Sequence, residues 1–522
     1  MRRRVVSAVW KGLGAAAIAV PMAALVVGAV ADRGPDGVQG PSAFHLALAA
    51  FDPSIRAAAL NSGLVAAGVA LGSIVLGVAL AALARGRFAG RGVLVALGAV
   101  PLAVPPLVGA MGLGWGARRL GFDPWAEGSA AAWVVLVVAE LGCGVAWVVR
   151  SVAGPLSGLD PTWASASRAS GSSAWRVWWS LSWPIVRPAA ARAGAEVFAL
   201  CILEPGAPLA LGLRRTLAFQ AVEAAAGATA GPRSATLGVA ALLLAAVAAR
   251  LSRAWARDRR LTLSSPRPGR DPGLQLALAR WPLLGAWAFC ATLPLWLLAR
   301  EALDGGLQTA IRALVGDPSI RNAAAWSSLL GVAAATLAAS LGRSAQGWTL
   351  PPLAIALGVL HVPWLWAVAD AALGPGAGLG RLNLPAIPGV LLVWAVALSS
   401  LQRRSPEGPD ESKAIEASVG RGQSRRRARR SAAGPFWRAP AVATWLCAAT
   451  LAATDTAAAF ILAPTATLGP AFLRLATMSD LASSAAVLGL GIAAVNLAAI
   501  AVASRSVGST GGRLDDRGLP EG

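Results

Sequence analysis

The feature that most constrains this chain is the recurrence, along its whole length, of apolar runs of about 18 residues or more. A helical run of that length spans the apolar part of a bilayer, because each helical residue rises ~1.5 Å. Of the residues 56% are hydrophobic and only 14% are charged, and the mean hydropathy is +0.61. A soluble protein of 522 residues would need far more polar surface. We therefore predict an all-α integral membrane protein.

Twelve transmembrane helices are predicted, and the basic residues orient them. The spans lie at 13–31, 58–84, 93–114, 130–149, 189–212, 234–249, 281–299, 323–342, 350–371, 385–402, 441–463 and 482–504. With the start MRRR in the cytoplasm, most of the 46 Lys and Arg residues fall in cytoplasmic segments, as the positive-inside rule requires. Both termini are then cytoplasmic. The net charge of +21 is a topology signal, and no nucleic-acid partner is needed to explain it.

The first span has a second interpretation. MRRR followed by an apolar stretch is also typical of a cleaved signal peptide. The apolar stretch is long for such a peptide, and keeping it preserves an even number of spans. We expect a retained helix.

The sequence offers no set of residues for a metal, a nucleophile or a nucleotide. The four cysteines lie in predicted spans without a CxxC pair, and we interpret them as small packing residues: Cys143, Cys201, Cys290 and Cys447. The two histidines, His45 and His361, share no environment. Neither of the two lysines completes a GxxxxGK[ST] phosphate-binding loop. We expect no metal, no cofactor and no enzymatic activity of the chain's own.

Short sequences recur at nearly constant offsets, which indicates an internal duplication. DPSIR begins at Asp52 and again at Asp317 (317 − 52 = 265), each time before a long apolar run. Chance is the alternative in so Ala-rich a chain, but two long cytoplasmic loops also align, Gly171 with Gly422 (422 − 171 = 251). Six positions before these glycines stand Ser165-Ala166-Ser167 and Glu416-Ala417-Ser418, and 13 positions after them stand Pro184 and Pro435. These common offsets predict two related halves of six helices each.

These loops resemble the EAA motif of binding-protein-dependent ABC importer permeases. That motif reads Glu-Ala-Ala, three residues, Gly, and a Pro after twelve more, before a spanning helix. The second loop keeps EAS, Gly422 and Pro435, and the first keeps Ala166, Gly171 and WPIVRP, with Ser165 in place of the usual Glu. The segments LEPGAPLALG and TDTAAAFILAP also resemble the segments after the motif in fused iron(III)-type and thiamine-type permeases.

The resemblance implies the type I ABC importer permease fold in a bacterial-type inner membrane. The first half would be 1–250 with a coupling loop at 151–190, and the second 281–522 with a coupling loop at 403–440, joined by a basic cytoplasmic linker at 251–280. The implied partners are a cytoplasmic ATPase dimer and an extracytoplasmic solute-binding protein, and the cargo a small solute or ion such as iron(III) or thiamine. The ATPase-coupling residues would be Ser165, Ala166, Ser167, Gly171, Pro184, Glu416, Ala417, Ser418, Gly422 and Pro435.

Acidic residues at membrane depth are candidates for the solute pathway, because burying a carboxylate is costly. Glu204 and Asp455 each stand 33 positions after their motif glycine and would occupy equivalent places. Glu204 precedes Pro205, however, so its alternative role is to cap a broken helix. Glu140, Glu196 and Asp370 have no symmetric counterpart and rank lower. The prolines at 101–106 and 361–363 predict kinks that shape a cavity.

Two other classes of protein remain. A twelve-helix secondary transporter also has two six-helix halves but needs no ATPase and no matched loops. A polytopic membrane enzyme would show clustered His, Asp or Ser near one interface, which this sequence does not. The arginine run at 425–430 suits an acidic ATPase surface, anionic lipid or plain solvation.

Overall fold

The computed structural model describes residues 51–84, 90–157, 161–226, 231–255, 274–344 and 467–515, with Phe88, Leu159, parts of 23–50 and four residues within 416–424. The predicted spans at 350–371, 385–402 and 441–463 lie outside the described residues. So do five predicted site residues: Ala417, Ser418, Gly422, Pro435 and Asp455.

The described part of the chain is helical apart from one antiparallel hairpin, in which β1 (Ala31–Gly34) pairs with β2 (Gly37–Pro41). The first group of helices is α1 (Phe44–Phe51), α2 (Pro53–Leu83), α3 (Arg91–Gly98), α4 (Pro106–Arg119), α5 (Ala130–Ser157), α6 (Pro161–Ala169), α7 (Ala174–Val177), α8 (Trp183–Leu203), α9 (Gly206–Ala210), α10 (Leu217–Ala226) and α11 (Gly231–Trp255). The second group is α12 (Leu274–Asp304), α13 (Leu307–Gly316), α14 (Pro318–Ser344), α15 (Leu468–Thr477) and α16 (Ala482–Asp515).

Five helical segments of the described residues are long and apolar enough to cross a membrane: Pro53–Leu83, Ala130–Leu156, Trp175–Ala210, Arg280–Asp304 and Ser479–Val502. A sixth candidate is the pair formed by α3, a 3-10 turn (Val100–Leu102) and α4, which bends by 99°. The kink predicted at 101–106 is therefore present. Proline causes it, because its ring removes an N–H and crowds the preceding turn. The chain is an all-α membrane protein.

The repeated DPSIR sequence has the same local role at both of its positions. Asp52 accepts a hydrogen bond from the Ser54 backbone N–H at 2.8 Å and caps α2. Asp317 accepts the equivalent bond from the Ser319 N–H at 2.7 Å, just before α14. In each case Pro occupies the first helical position, where its missing N–H costs nothing. The two copies therefore encode the same helix start.

Each copy of the repeat lies in a set of four helices. In the first unit, α2 packs against α1 and α10, and α11 packs against the same two helices. In the second unit, α14 packs against α13 and α15, and α16 packs against the same two helices. Counted in chain order, a buried serine joins the second and third helices of each set, α2 to α10 and α14 to α15. Leu217 N–H donates to Ser62 Oγ at 2.9 Å, and Leu468 N–H donates to Ser327 Oγ at 3.0 Å. The sequence offsets of 265 and 251 thus correspond to repeated packing.

Helix α12 connects the second four-helix unit to α3 and α4, which belong to the first group of helices. It lies against α3, α4 and α16. At one end Trp281 packs edge-on against Phe88, with ring centroids 6.5 Å apart. At the other end Arg119 of α4 forms ion pairs with Glu301 and Asp304. Because both ends of α12 are held, the two groups of helices form one connected body around α4 and α5.

Candidate functional site

Two interrupted helices meet at the middle of α5. One interruption separates α3 from α4 at 99–105, and the other separates α8 from α9 at Glu204 and Pro205. We call the groups that line them the broken-helix cluster: Pro101, Ala103, Glu140, Cys143, Cys201, Glu204 and Asn496. Irregular backbone at membrane depth is tolerated only where protein or a cavity surrounds it, and broken helices are typical of transporter binding sites.

Carbonyl groups freed at the first interruption are bonded by side chains from other helices. Pro101 O would receive its helical bond from residue 105, which is proline and has no N–H. The Cys143 thiol of α5 donates to it instead, with a Sγ–O distance of 3.2 Å. The Ala103 carbonyl accepts from Asn496 Nδ2 of α16 at 2.8 Å. The last described helix thus completes a break in the first group of helices.

Glu204 caps the second interruption. Helix α8 ends where Glu204 turns to extended backbone (φ −81°, ψ 111°). Its carboxylate accepts the N–H groups of Gly206 at 2.8 Å and Ala207 at 2.9 Å, which would otherwise lack partners after the break. A Cβ at Gly206 would lie 2.5 Å from Glu204 Oε1 and 3.1 Å from Leu107 Cβ, so a side chain there would displace the capping carboxylate. Of the two roles predicted for Glu204, the cap is the one seen in the structure.

Glu140 is the most buried acid of the cluster, with 4% of its surface exposed. Its Oε2 accepts from the Cys201 thiol at 3.4 Å, and its Oε1 has no hydrogen-bond partner among the described residues. It interacts electrostatically with Glu204. Since Glu140 follows the start of α5 by ten residues (140 − 130), it lies about 15 Å along that helix, roughly half the thickness of a bilayer.

Sequence reasoning ranked Glu140 low because it has no symmetric counterpart. The signal that identifies it is a single acid inside an apolar run, three residues before a cysteine on the same helix face. Cys143 and Cys201 likewise donate hydrogen bonds within the cluster, beyond the packing role predicted for them. Among the residues that the structure describes, no group of three His, Cys, Asp or Glu is arranged to hold a metal ion.

Glu196 lies outside the cluster. Trp147 Nε1 donates to its Oε2 at 2.8 Å, and Arg192 lies close enough to interact with its charge. This acid therefore has local partners that account for its position on α8.

The first predicted coupling loop folds as a short exposed helix, α6, followed by a sharp turn. Ser165 and Ala166 are exposed and Ser167 is half-buried. Gly171, with φ +83°, ends the helix: its N–H donates to Arg168 O at 2.9 Å, and the next N–H donates to Ser167 O at 3.0 Å. This pair of bonds is a Schellman motif, which needs a left-handed residue that glycine supplies without strain.

Beyond that turn, one helical rod runs from Ala174 to Leu203. It consists of α7, a π-helical turn (Trp178–Ser182) and α8. Pro184 stands in the first turn of α8 and cannot donate to the carbonyl four residues earlier, and the wider π turn accommodates it. At ~1.5 Å per residue the 30 residues (203 − 174 + 1) extend about 45 Å. The rod therefore connects the coupling-loop helix to the break at Glu204.

Of the second predicted coupling loop, Glu416 is helical and exposed. Of the first loop, by contrast, all five predicted coupling residues are described. Compared with known proteins, the chain matches no family model and no curated protein.

Proposed function

We propose that this chain is the membrane permease of an ATP-driven importer, with cytoplasmic termini in a bacterial-type inner membrane. In this proposal it forms the solute route through twelve helices of the type I fold and performs no covalent chemistry. A cytoplasmic ATPase dimer binds the two coupling loops, and an external solute-binding protein delivers a small solute or ion, such as iron(III) or thiamine, to the other face.

The observation that carries the proposal is the continuous path from α6 to the broken-helix cluster. An exposed helix of small residues offers a compact docking element for a soluble partner. The Ala174–Leu203 rod begins three residues after Gly171 and ends at Glu204. Because a helix is stiff along its axis, a displacement of α6 is transmitted to the place where the second helix is interrupted. Binding energy at one end can then change the shape of the cluster at the other.

The repeated four-helix units support the two-half arrangement on which the proposal depends. A secondary transporter is the alternative, since it also combines related halves around broken helices. It has no need of an exposed docking helix joined to the break. The two classes therefore differ in whether α6 contacts an ATPase.

Cross-linking from α6 separates them. Ala166→Cys places a thiol on the exposed helix, and Glu127→Cys places one in the exposed loop between α4 and α5, which is predicted to lie on the opposite side of the membrane. Membranes of each variant are treated with a bifunctional thiol reagent, and the product is purified and assayed for ATP hydrolysis. We expect Ala166→Cys alone to yield a cross-linked partner that hydrolyses ATP.

Equal products from the two variants, or a purified chain that takes up solute without any ATPase, would refute the importer proposal. The second result would favour a secondary transporter.

A further inference from the structure

Glu140 is an acid whose surroundings do not stabilise a negative charge. Its carboxyl group is almost fully buried, one oxygen contacts a thiol, and the other has no hydrogen-bond partner among the described residues. An ionised carboxylate in such a place is far less stable than a neutral carboxylic acid, because it loses its hydration without gaining a counter-ion or strong donors.

No described cation faces Glu140 from the elements that pack against α5. These elements are α2, α4, α8, α9 and the 3-10 turn. The turn and α9 carry no charged residue, and the groups electrostatically linked to Glu140 are Glu204 and the Cys201 and Cys143 thiols. The arginines of these helices stand towards the helix ends or next to Glu196: Arg56, Arg118, Arg119, Arg150, Arg187 and Arg192.

The neighbouring carboxylate has a different environment. Glu204 accepts two backbone N–H groups, one on each oxygen, and these bonds stabilise its ionised form. When two carboxyl groups lie close together and only one is so stabilised, the other keeps its proton, since two adjacent negative charges repel.

We propose that Glu140 is a proton-binding site within the membrane, and that the broken-helix cluster holds one proton on Glu140 and one negative charge on Glu204. Glu140 releases this proton when the interruptions open to water or when a positively charged group enters between the two acids. The cluster is thereby suited to a cationic ligand. The proton site itself depends on no ATPase, so it stands or falls separately from the importer proposal.

Dicyclohexylcarbodiimide tests the proposal directly, because this apolar reagent reacts with protonated carboxyl groups. The acid proton moves to a reagent nitrogen while a carboxyl oxygen bonds to the central carbon, and the adduct rearranges to a stable acylurea that retains the whole reagent. Purified protein in lipid vesicles is treated at neutral pH, and the modified residues are located by peptide mass spectrometry.

We expect at least tenfold more adduct on Glu140 than on Glu204 or on Glu223, which serves as the solvent-exposed control. Glu140→Gln removes the adduct, and Glu204→Gln leaves it in place. The infrared spectrum of the wild type at neutral pH should show a protonated carboxylic acid band that Glu140→Gln lacks.

The proposal is overturned if that band is absent, or if the adduct forms on Glu204 at least as readily as on Glu140. Should Glu140→Gln fail to fold, wild-type protein containing carbon-13-labelled glutamate reports the same band by its isotope shift, and peptide mapping locates the adduct without any variant.

Discussion

The two four-helix units share their internal contacts and differ at their surfaces. In both, an aspartate caps the second helix, and a buried serine, Ser62 or Ser327, binds the first N–H of the third helix. Near the first cap, Gln220 Nε2 reaches Ser54 O at 3.5 Å. Near the second, Arg474 donates to Ser319 Oγ at 2.9 Å. Contacts that define the backbone have been kept, while exposed positions have diverged.

The units also differ in what they give to the broken-helix cluster. Asn496 of α16 bonds Ala103 in the first group of helices. At the 251-residue offset the corresponding residue of α11 is Ala245 (496 − 251), a residue type without a polar side-chain group. The contact that Asn496 makes therefore has no polar counterpart at this aligned position. The repeated positions thus locate the scaffold, whereas Glu140 and Asn496, which lack a symmetric counterpart in the sequence, contribute to the cluster.

The largest effect is expected at Glu204, which separates the capping role from a role in the solute pathway. Glu204→Leu leaves two backbone N–H groups without acceptors, at ~1–3 kcal/mol each, so it should destabilise the protein by about 2–6 kcal/mol. Glu204→Gln retains one acceptor oxygen and should cost about half as much. Unfolding in detergent measures both, with the exposed Glu127→Gln as control.

Stability close to wild type in both Glu204 variants, together with lost uptake, would instead assign Glu204 to the pathway. Asp455→Asn, measured in parallel, tests whether the acid at the equivalent sequence position also belongs to the solute pathway.

The next largest effect is expected at the two buried serines, and it tests whether the two units contribute equally to stability. Ser62→Ala and Ser327→Ala each remove the acceptor for one N–H, that of Leu217 or Leu468, and each should cost ~1–3 kcal/mol. Because the two serines are both buried and their bond lengths nearly equal, the two losses should agree closely. Thermal unfolding of the single variants measures them, and a large difference would show that one unit contributes more to stability than the other.

A smaller effect on stability, but a specific one on function, is expected at Gly171. Gly171→Ala places a side chain at φ +83° with open space around it, so only backbone strain of about 1–2 kcal/mol is added. Gly212→Ala is a matched control, because Gly212 has φ +66° and also has open space around it. Gly171→Asp adds a charge beside α6 and should weaken ATPase binding, measured by co-purification.

Equal co-purification with Gly171→Asp and Gly212→Ala would exclude the first loop as the docking site. Gly422→Asp should have a stronger effect than Gly171→Asp, because the second loop keeps the motif glutamate, Glu416, where the first has Ser165.

The smallest effect concerns the cap of α14. Hydrogen bonds from Ser319 hold the pKa of Asp317 below its ordinary value. A carboxylate whose pKa is lowered in the folded state stabilises that state above the unfolded pKa of about 3.9, and the benefit disappears as the pH falls through the folded value. Asp317→Asn should therefore reduce the loss of stability between pH 5 and pH 3, by less than ~1 kcal/mol at this partly exposed cap. Melting temperatures across that range test this, and an unchanged slope would contradict it.

Much of the scaffold was predictable from the sequence. Apolar run lengths located the five described segments that are long and apolar enough to cross a membrane, and the prolines at 101–106 located the bend between α3 and α4. Gly171 and its spacing located the turn after α6. These features were accessible because bilayer thickness, the missing proline N–H and the left-handed glycine act within one segment of chain.

The sequence by itself therefore determined an all-α membrane protein with a long apolar run after each DPSIR copy, and it left the helix break at Glu204 as one of two alternatives. The tertiary structure decided which polar groups meet. Glu140, Cys201 and Glu204 come from two helices, and Asn496 lies 393 residues from the carbonyl it bonds. A hydrogen bond between distant segments leaves no periodic trace in either one, because it depends on how the helices pack and rotate against each other. Only that packing shows that Glu140 is buried close to Glu204 with a thiol, and no backbone N–H of the described residues, bonded to its carboxyl group.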